Sequence, residues 1–248
     1  MPPISFVSPT AGQKILSGKV ALVTGGSRGI GLAIAARLSA LGASVAICAR
    51  DGARLRVAAA EISAAGGSAL GIRADVTSET EVAALVRSTE NSLGPIEILV
   101  NNAGIGYFGS IADASESVWD SVLDTNLKSV FLVSKAVAPG MIARRSGHII
   151  NIASLSGKSA FAGGAIYCAS KWGLLGFTQC VAEDLRGHGI RVAAICPGTV
   201  ATEFSPHSGK DPRKMLQTDD IAHAVETLVT QAPQSFISEI LLRPTQKP

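Results

Sequence analysis

The stretch Lys19-Val20-Ala21-Leu22-Val23-Thr24-Gly25-Gly26-Ser27-Arg28-Gly29-Ile30-Gly31 decides the fold. Its first six residues form an apolar, partly β-branched run that ends at glycine, the mark of a buried strand. A helical pattern then runs from Ile30 to Leu41 and stops at Gly42. The glycines between strand and helix allow a tight turn, close approach of backbone to a pyrophosphate, and close packing of helix on strand. The free N–H groups of the helix start then face the phosphates. The spacing is Gly-x-x-x-Gly-x-Gly rather than Gly-x-Gly-x-x-Gly, and no Gly-Lys-Ser/Thr follows, so it is not a P-loop. Gly25, Ser27, Arg28, Gly29, Ile30 and Gly31 are the candidate cofactor-binding residues of this turn.

The same alternation continues along the chain. Apolar strands are predicted at 44–49, 69–73, 96–100, 148–153, 191–195 and 236–242. Helices are predicted at 52–65, from Thr77 or Ser78 to about Ser92, in segments over 115–137, over 165–185, and from a cap at Thr218 or Asp219 to about Thr230. Strands alternating with helices imply right-handed βαβ units and a parallel sheet covered on both faces. The expected fold is α/β, a doubly wound parallel sheet of Rossmann type in a single domain. Residues 1–17, with Pro2, Pro3 and Pro9, read as a loosely held N-terminal tail. Residues 18–248 read as one dinucleotide-binding domain, with a short lid at 203–217.

Composition narrows the class. The chain has 248 residues, 47% hydrophobic and 17% charged, enough for one sizeable core and against disorder. A net charge of +3 with scattered basic residues is no footprint for nucleic acid. No run reaches the apolar length of a membrane span, and the N-terminal residues do not read as a signal peptide, so a cytoplasmic protein is expected. Cys48, Cys168, Cys180 and Cys196 lack metal-ligand spacing and read as small buried apolar residues in a reducing compartment. His148, His188, His207 and His223 are equally dispersed, and no metal site is assigned.

A second stretch carries chemistry. In Ala165-Ile166-Tyr167-Cys168-Ala169-Ser170-Lys171, the apolar positions run on helically to Leu185 and stop at Gly187. Residues four apart share a helix face, so Tyr167 and Lys171 point the same way. A free phenol titrates near ~10, too high for acid-base work at neutral pH. A neighbouring ammonium stabilises the phenolate and lowers that value. Taken alone, the pair is as well explained by chance.

Further elements in fixed order remove that alternative. With Asn101-Asn102-Ala103-Gly104, Thr125-Asn126-Leu127, Ser154, Tyr167, Lys171 and Pro197-Gly198-Thr199-Val200-Ala201-Thr202, the chain resembles the short-chain dehydrogenase/reductase family over nearly its whole length. The resemblance implies four catalytic residues, Asn126, Ser154, Tyr167 and Lys171. Ser154 would orient a substrate carbonyl and Tyr167 would donate its proton. Lys171 would lower the tyrosine pKa and bind the nicotinamide ribose, and Asn126 would hold a water that relays protons to Lys171. Ser154 could also merely end a strand, and Asn126 could merely bond backbone. Asp75 and Val76 would bind the adenine end, and Asn102, Ala103 and Gly104 would pack beside the ribose. Pro197 and Gly198 match the family's Pro-Gly element, and Val200 and Thr202 would meet the nicotinamide carboxamide. The end of the chain, 235–244, departs from the family's usual Asp-Gly-Gly tail, and the short lid suggests an open, permissive pocket.

The expected activity is hydride transfer between NADP(H) and a ketone or secondary alcohol, with a 3-oxoacyl thioester or another carbonyl compound as substrate. NAD(H) is the alternative cofactor. Asp51 lies twenty residues after Gly31, where an acid often binds the NAD ribose. Ala49, however, takes the strand-end position of that acid, and Arg50 follows where a guanidinium can grip a 2′-phosphate. The alternatives are an NAD-dependent alcohol, sugar or steroid dehydrogenase and a non-catalytic dinucleotide-binding protein. Trp119, Phe131, Trp172 and Phe177 exceed what one core face needs and predict a homodimer or homotetramer. Otherwise they simply face the sheet.

Overall fold

Helices separate the successive apolar runs of the sequence, so the strands these form are expected to lie parallel. The structure is a computed structural model that describes residues 14–204 and 211–246. The strands are Val20–Thr24 (β1), Ser44–Ala49 (β2), Ser68–Arg73 (β3), Ile96–Asn101 (β4), Gly147–Ile152 (β5), Ile190–Pro197 (β6) and Glu239–Leu242 (β7). They form one sheet in the order β3-β2-β1-β4-β5-β6-β7, and every pairing is parallel. The helices are Gly29–Ala40 (α1), Gly52–Ala64 (α2), Glu79–Leu93 (α3), Glu116–Leu123 (α4), Ser129–Arg144 (α5), Ala165–Arg186 (α6) and Thr218–Val229 (α7).

All five residues of β1 are buried, because helices cover both faces of the sheet. One core sets Ile34 and Leu38 of α1, Leu55 and Ile62 of α2, and Ile221 and Val225 of α7 against Val23 and Ile47. The other sets Val82 and Leu85 of α3, Leu132 and Val133 of α5, and Leu185 of α6 against Leu22 and Leu99. The chain leaves β1 toward β2 on one side, while β4 pairs on the other. Such a switch point opens a crevice at the carboxyl ends of the strands. Val23 stands opposite both Ile47 and Val100, so the loops leaving β1, β2 and β4 emerge side by side.

Polar side chains set several element boundaries. Asp51 caps α2 by accepting from the N–H groups of Ala53 and Arg54, at 3.0 and 3.1 Å. Ser78, not Thr77, caps α3 through the Glu81 N–H. At α7 the cap is Gln217 rather than Thr218 or Asp219, and its N–H donates to the Asp220 carboxylate at 2.8 Å. Asp219 instead chelates Arg37, with both carboxylate oxygens 2.8 Å from Nη2.

Other expectations need correction. The last strand begins at Glu239 rather than 236. The segment over 115–137 is broken by a π-helical turn at Asp124–Lys128, and α5 runs on to Arg144 through Pro139. Cys48, Cys168 and Cys196 are buried, but Cys180 is exposed on α6. Leu16 is buried and its N–H bonds the Leu41 carbonyl at 2.9 Å, so packing begins within 14–17. The rest of the expected tail, and 205–210 of the expected lid, lie outside the described residues. No helix among the described residues is long and apolar enough to cross a membrane.

Candidate active site

The turn after β1 is built on glycine for two physical reasons. Gly29 has a φ of +55°, a left-handed conformation that side chains resist. A Cβ on Gly31 would lie 2.4 Å from the Gly25 carbonyl oxygen and 2.5 Å from Asn102 Nδ2. Asn102 braces this turn, donating from Nδ2 to the carbonyls of Thr24 and Gly25 at 3.0 and 3.2 Å. The N–H groups of Asn102 and Ala103 both donate to Thr24 Oγ1 at 3.0 Å. No side chain caps α1, so its first N–H groups remain available to an anion.

A cleft of about 1420 Å³ starts at this turn and crosses the carboxyl ends of the sheet. Gly25, Ser27, Arg28, Gly29 and Ile30 line it, as do Arg50, Asp75, Val76, Asn102, Ala103 and Gly104. Pro197, Gly198, Val200 and Thr202 form a further wall, with Ser154, Tyr167 and Lys171. Of the expected site residues, only Gly31 and Asn126 do not line it. Gly31 supports the turn from behind. Asn126 is buried, 1% exposed, inside the π-helical turn. Its Nδ2 donates to the Ile105 carbonyl at 2.9 Å and to Ser170 Oγ at 3.0 Å, and its Oδ1 accepts from the Ile105 N–H at 2.8 Å. Both amide hydrogens are therefore committed, and the side chain clamps the loop after β4 to α6.

Tyr167 and Lys171 share a face of α6, as their spacing requires. The Lys171 ammonium lies 5.9 Å from the Tyr167 ring centroid and donates to the Ile152 carbonyl at 2.9 Å. Burial lowers the Lys171 pKa to about 8. Burial also pushes the Tyr167 phenol up to about 12, and its hydrogen bond with Ser154 pulls the other way. The lowering of the phenol expected from Lys171 is not found: loss of solvent dominates, and the opposing pull comes from Ser154. Ser154 is extended, and its Oγ also accepts from the Ser156 N–H at 3.1 Å.

A second polar chain lies deeper. Asn101 Nδ2 donates to Asn151 Oδ1 at 2.9 Å and to Ser134 Oγ at 3.1 Å, and Asn151 Nδ2 donates to Thr178 Oγ1 at 2.8 Å. These bonds tie β4, β5, α5 and α6 together beneath the cleft. Asn101 Oδ1 is buried without a hydrogen-bond partner.

At the other end of the cleft lie three arginines and three carboxylates, Asp51, Asp75 and Glu203, each carboxylate already bonded within the protein. Arg28, Arg50 and Arg54 all line it. Asp51 is spent on capping α2, and Ala49 ends β2, so no carboxylate stands at the strand end. Asp75 accepts from the Thr77 N–H at 2.9 Å and from its hydroxyl at 2.8 Å, and these bonds hold its carboxyl below the usual range. Arg54 and Glu203 were not anticipated. Glu203 pairs with Arg28 at 2.6 Å and with Arg54 at 3.6 Å, across the cleft mouth. Arg54 lies in the first turn of α2, just past the Asp51 cap, while Glu203 is brought in only by the fold.

A capless helix start, a cradle closed to any Cβ and an arginine-lined end fit a dinucleotide phosphate. A buried lysine beside a phenol fits proton transfer at the opposite end. Together they define a dinucleotide-dependent oxidoreductase. The chain belongs to the short chain dehydrogenase family, which residues 19–213 match. It is 37% identical over 231 residues to a 3-oxoacyl-[acyl-carrier-protein] reductase of Synechocystis sp., covering 90% of this chain and 94% of that one. It is 41% identical over 187 residues to 2-(S)-hydroxypropyl-CoM dehydrogenase 3 of Xanthobacter autotrophicus, covering 75% and 73%. A solved metagenomic short-chain oxidoreductase in complex with NADP is 46% identical, with a TM-score of 0.83, covering 94% of this chain and 99% of that one.

Proposed function

We propose that the protein uses NADPH to reduce a ketone, a 3-oxoacyl thioester or another carbonyl compound, to a secondary alcohol. The observation that carries this reading is one cleft with Ser154, Tyr167 and Lys171 at one end and Arg28, Arg50 and Arg54 at the other. The NADP held by the similar oxidoreductase and the name of the Synechocystis relative support it.

When bound, the reduced nicotinamide supplies the hydride that forms the new C–H bond. The Ser154 hydroxyl donates a hydrogen bond to the carbonyl oxygen and orients it. As the C=O electron pair moves onto that oxygen, Tyr167 gives it the phenolic proton, forming the O–H bond. The Lys171 cation stabilises the phenolate left behind and holds the ribose hydroxyls. Asn126 fixes the loop after β4, and any water relay to Lys171 runs through its peptide group rather than its committed side-chain N–H.

At the arginine-lined end, Arg50 and Arg28 hold the 2′-phosphate. The Glu203 pairs are between exposed groups that water screens, so a phosphate dianion can replace that carboxylate. Residues 203–217 act as a short lid on the domain formed by 18–248. The enzyme is a homodimer or homotetramer, supported by the exposed Trp119, Phe131 and Trp172. A cytoplasmic location completes the proposal, and the free, exposed Cys180 thiol fits a reducing compartment.

Two variants test this. Tyr167→Phe is expected to abolish carbonyl-dependent NADPH oxidation while NADPH still binds, measured by nucleotide fluorescence. Near wild-type turnover would defeat the mechanism. Wild type is expected to favour NADPH over NADH at least about tenfold in kcat/KM, the value of one charge-assisted bond, and Arg50→Ala to erode that ratio. Equal use of both nucleotides would defeat the assignment.

A further inference from the structure

Phenylalanines from three different loops form a cluster at Tyr167, two against its ring and the third against one of those two. Phe108 follows β4, Phe161 lies between β5 and α6, and Phe204 follows β6. The centroids of Phe108 and Phe204 lie 5.4 and 5.8 Å from that of Tyr167, tilted by 59° and 54°. Phe161 continues the group, 6.2 Å from Phe108 at 35°. All four rings line the cleft. These separations fall in the range where aromatic rings attract one another beyond simple burial.

The rings do not serve the core. Phe108, Phe161 and Phe204 remain 39%, 46% and 41% exposed. They are seated over glycines that would otherwise push them away. A Cβ on Gly164 would stand 2.5 Å from the Phe161 ring, and one on Gly106 would stand 2.7 Å from Phe108 and 3.2 Å from Phe204. An exposed apolar cluster inside a cleft marks a ligand surface, here at the phenol that gives up its proton. The Lys171 ammonium, 5.9 Å from the Tyr167 ring centroid, is turned to the Ile152 carbonyl.

We infer that the substrate carries an aromatic ring next to its carbonyl, and that Phe108, Phe161 and Phe204 select it. The inference rests on the reading of the protein as a carbonyl reductase. It places aryl ketones ahead of linear oxoacyl chains, which fill the same space but offer no ring face or edge. The exposed faces of Phe108 and Phe204 receive the ring, with the carbonyl oxygen directed between Ser154 and the phenol. Phe161 extends the surface outward for a fused or substituted ring.

The test compares acetophenone with cyclohexyl methyl ketone, which matches it in size and carbonyl position but has no π system. Turnover is followed by NADPH oxidation. Binding to the NADP⁺-loaded full chain is followed by saturation-transfer NMR with titration. Acetophenone is expected to exceed its saturated counterpart about tenfold in kcat/KM and in affinity, the effect of one or two ring–ring contacts. Phe161→Leu and Phe204→Leu, each retaining NADP⁺ binding, are expected to cut the ratio about threefold. Equal affinity and turnover for the two ketones in wild type would overturn the aromatic inference and leave the reductase reading standing. Tighter binding of acetophenone with no turnover of any carbonyl would sustain the aromatic pocket and overturn the reductase reading. The wild-type ratio decides even if a variant fails to fold.

Discussion

The proposed mechanism uses Lys171 as a cation, and burial has brought its pKa down to about 8. The cation is therefore present below about pH 8 and lost as pH rises through it. Carbonyl reduction is expected to fall along that limb, and Lys171→Arg, at a lower rate, to move the fall upward. A pH profile of kcat/KM from pH 6 to 10 checks this. A flat profile to pH 10 would remove the cation from the mechanism. His148 works on stability instead. Burial, with Arg191 and Lys19 nearby, lowers its pKa to about 4. The unfolded chain takes up the proton near pH 6.5 and the folded chain only near 4. Stability is thus full above about 6.5 and drains away as pH falls toward 4. The loss is of order 1 kcal/mol after discounting for its part-exposed site. His148→Asn should flatten the dependence of the thermal midpoint between pH 6.5 and 4. At this scale the Tyr167–Lys171 pair was legible because helical spacing fixes it. The Ile152 carbonyl that receives Lys171 was not, since a backbone partner leaves no trace in residue identity.

The glycine turn and α1 act as one element, and Gly31 is where they meet. The atom that its Cβ would strike at 2.4 Å is backbone, the Gly25 carbonyl oxygen, so the turn itself must shift. Gly31→Ala is expected to weaken NADPH binding at least tenfold and to cost about 1–3 kcal/mol of stability. Nucleotide titration and thermal melting measure the two effects. An unchanged affinity would mean that the turn does not cradle the phosphates. Strands and capped helices were legible because period and capping chemistry are local, as with Asp51 and Ser78. The π-helical turn at Asp124–Lys128 was not, because one inserted residue changes no composition. Nor was the chain from Asn101 through Asn151 to Thr178, whose members are separated by 50 and 27 residues.

Across the whole molecule, the sheet order follows from βαβ alternation, and the switch point beside β1 puts the cleft where the glycine turn already is. What the alternation cannot supply is the outer surface. Trp119, Phe131 and Trp172 are 45%, 45% and 53% exposed on α4, α5 and α6, so they do not face the sheet. Phe177, by contrast, packs against a small cluster that includes Ala194 and Cys196 of β6. Light scattering at micromolar concentration is expected to give at least twice the mass of one chain, and Trp172→Glu to weaken association at least tenfold. A wild-type mass of a single 25.3 kDa chain would refute this.

The far wall of the cleft depends on a late arrival. Gly198 N–H is held by the Leu242 carbonyl at 2.8 Å, and β6 has β7 as its outer neighbour. A ribosome delivers β1 and its glycine turn first, β4 76 residues later, and β7 only after about 140 more. At about 5–20 residues per second, roughly 7–28 seconds separate the last two. The nucleotide cradle can close early in this interval, while the exposed edge of the growing sheet invites a chaperone. Nascent chains arrested between β4 and β7 are expected to crosslink to a holdase, and chains arrested well past β7 are not.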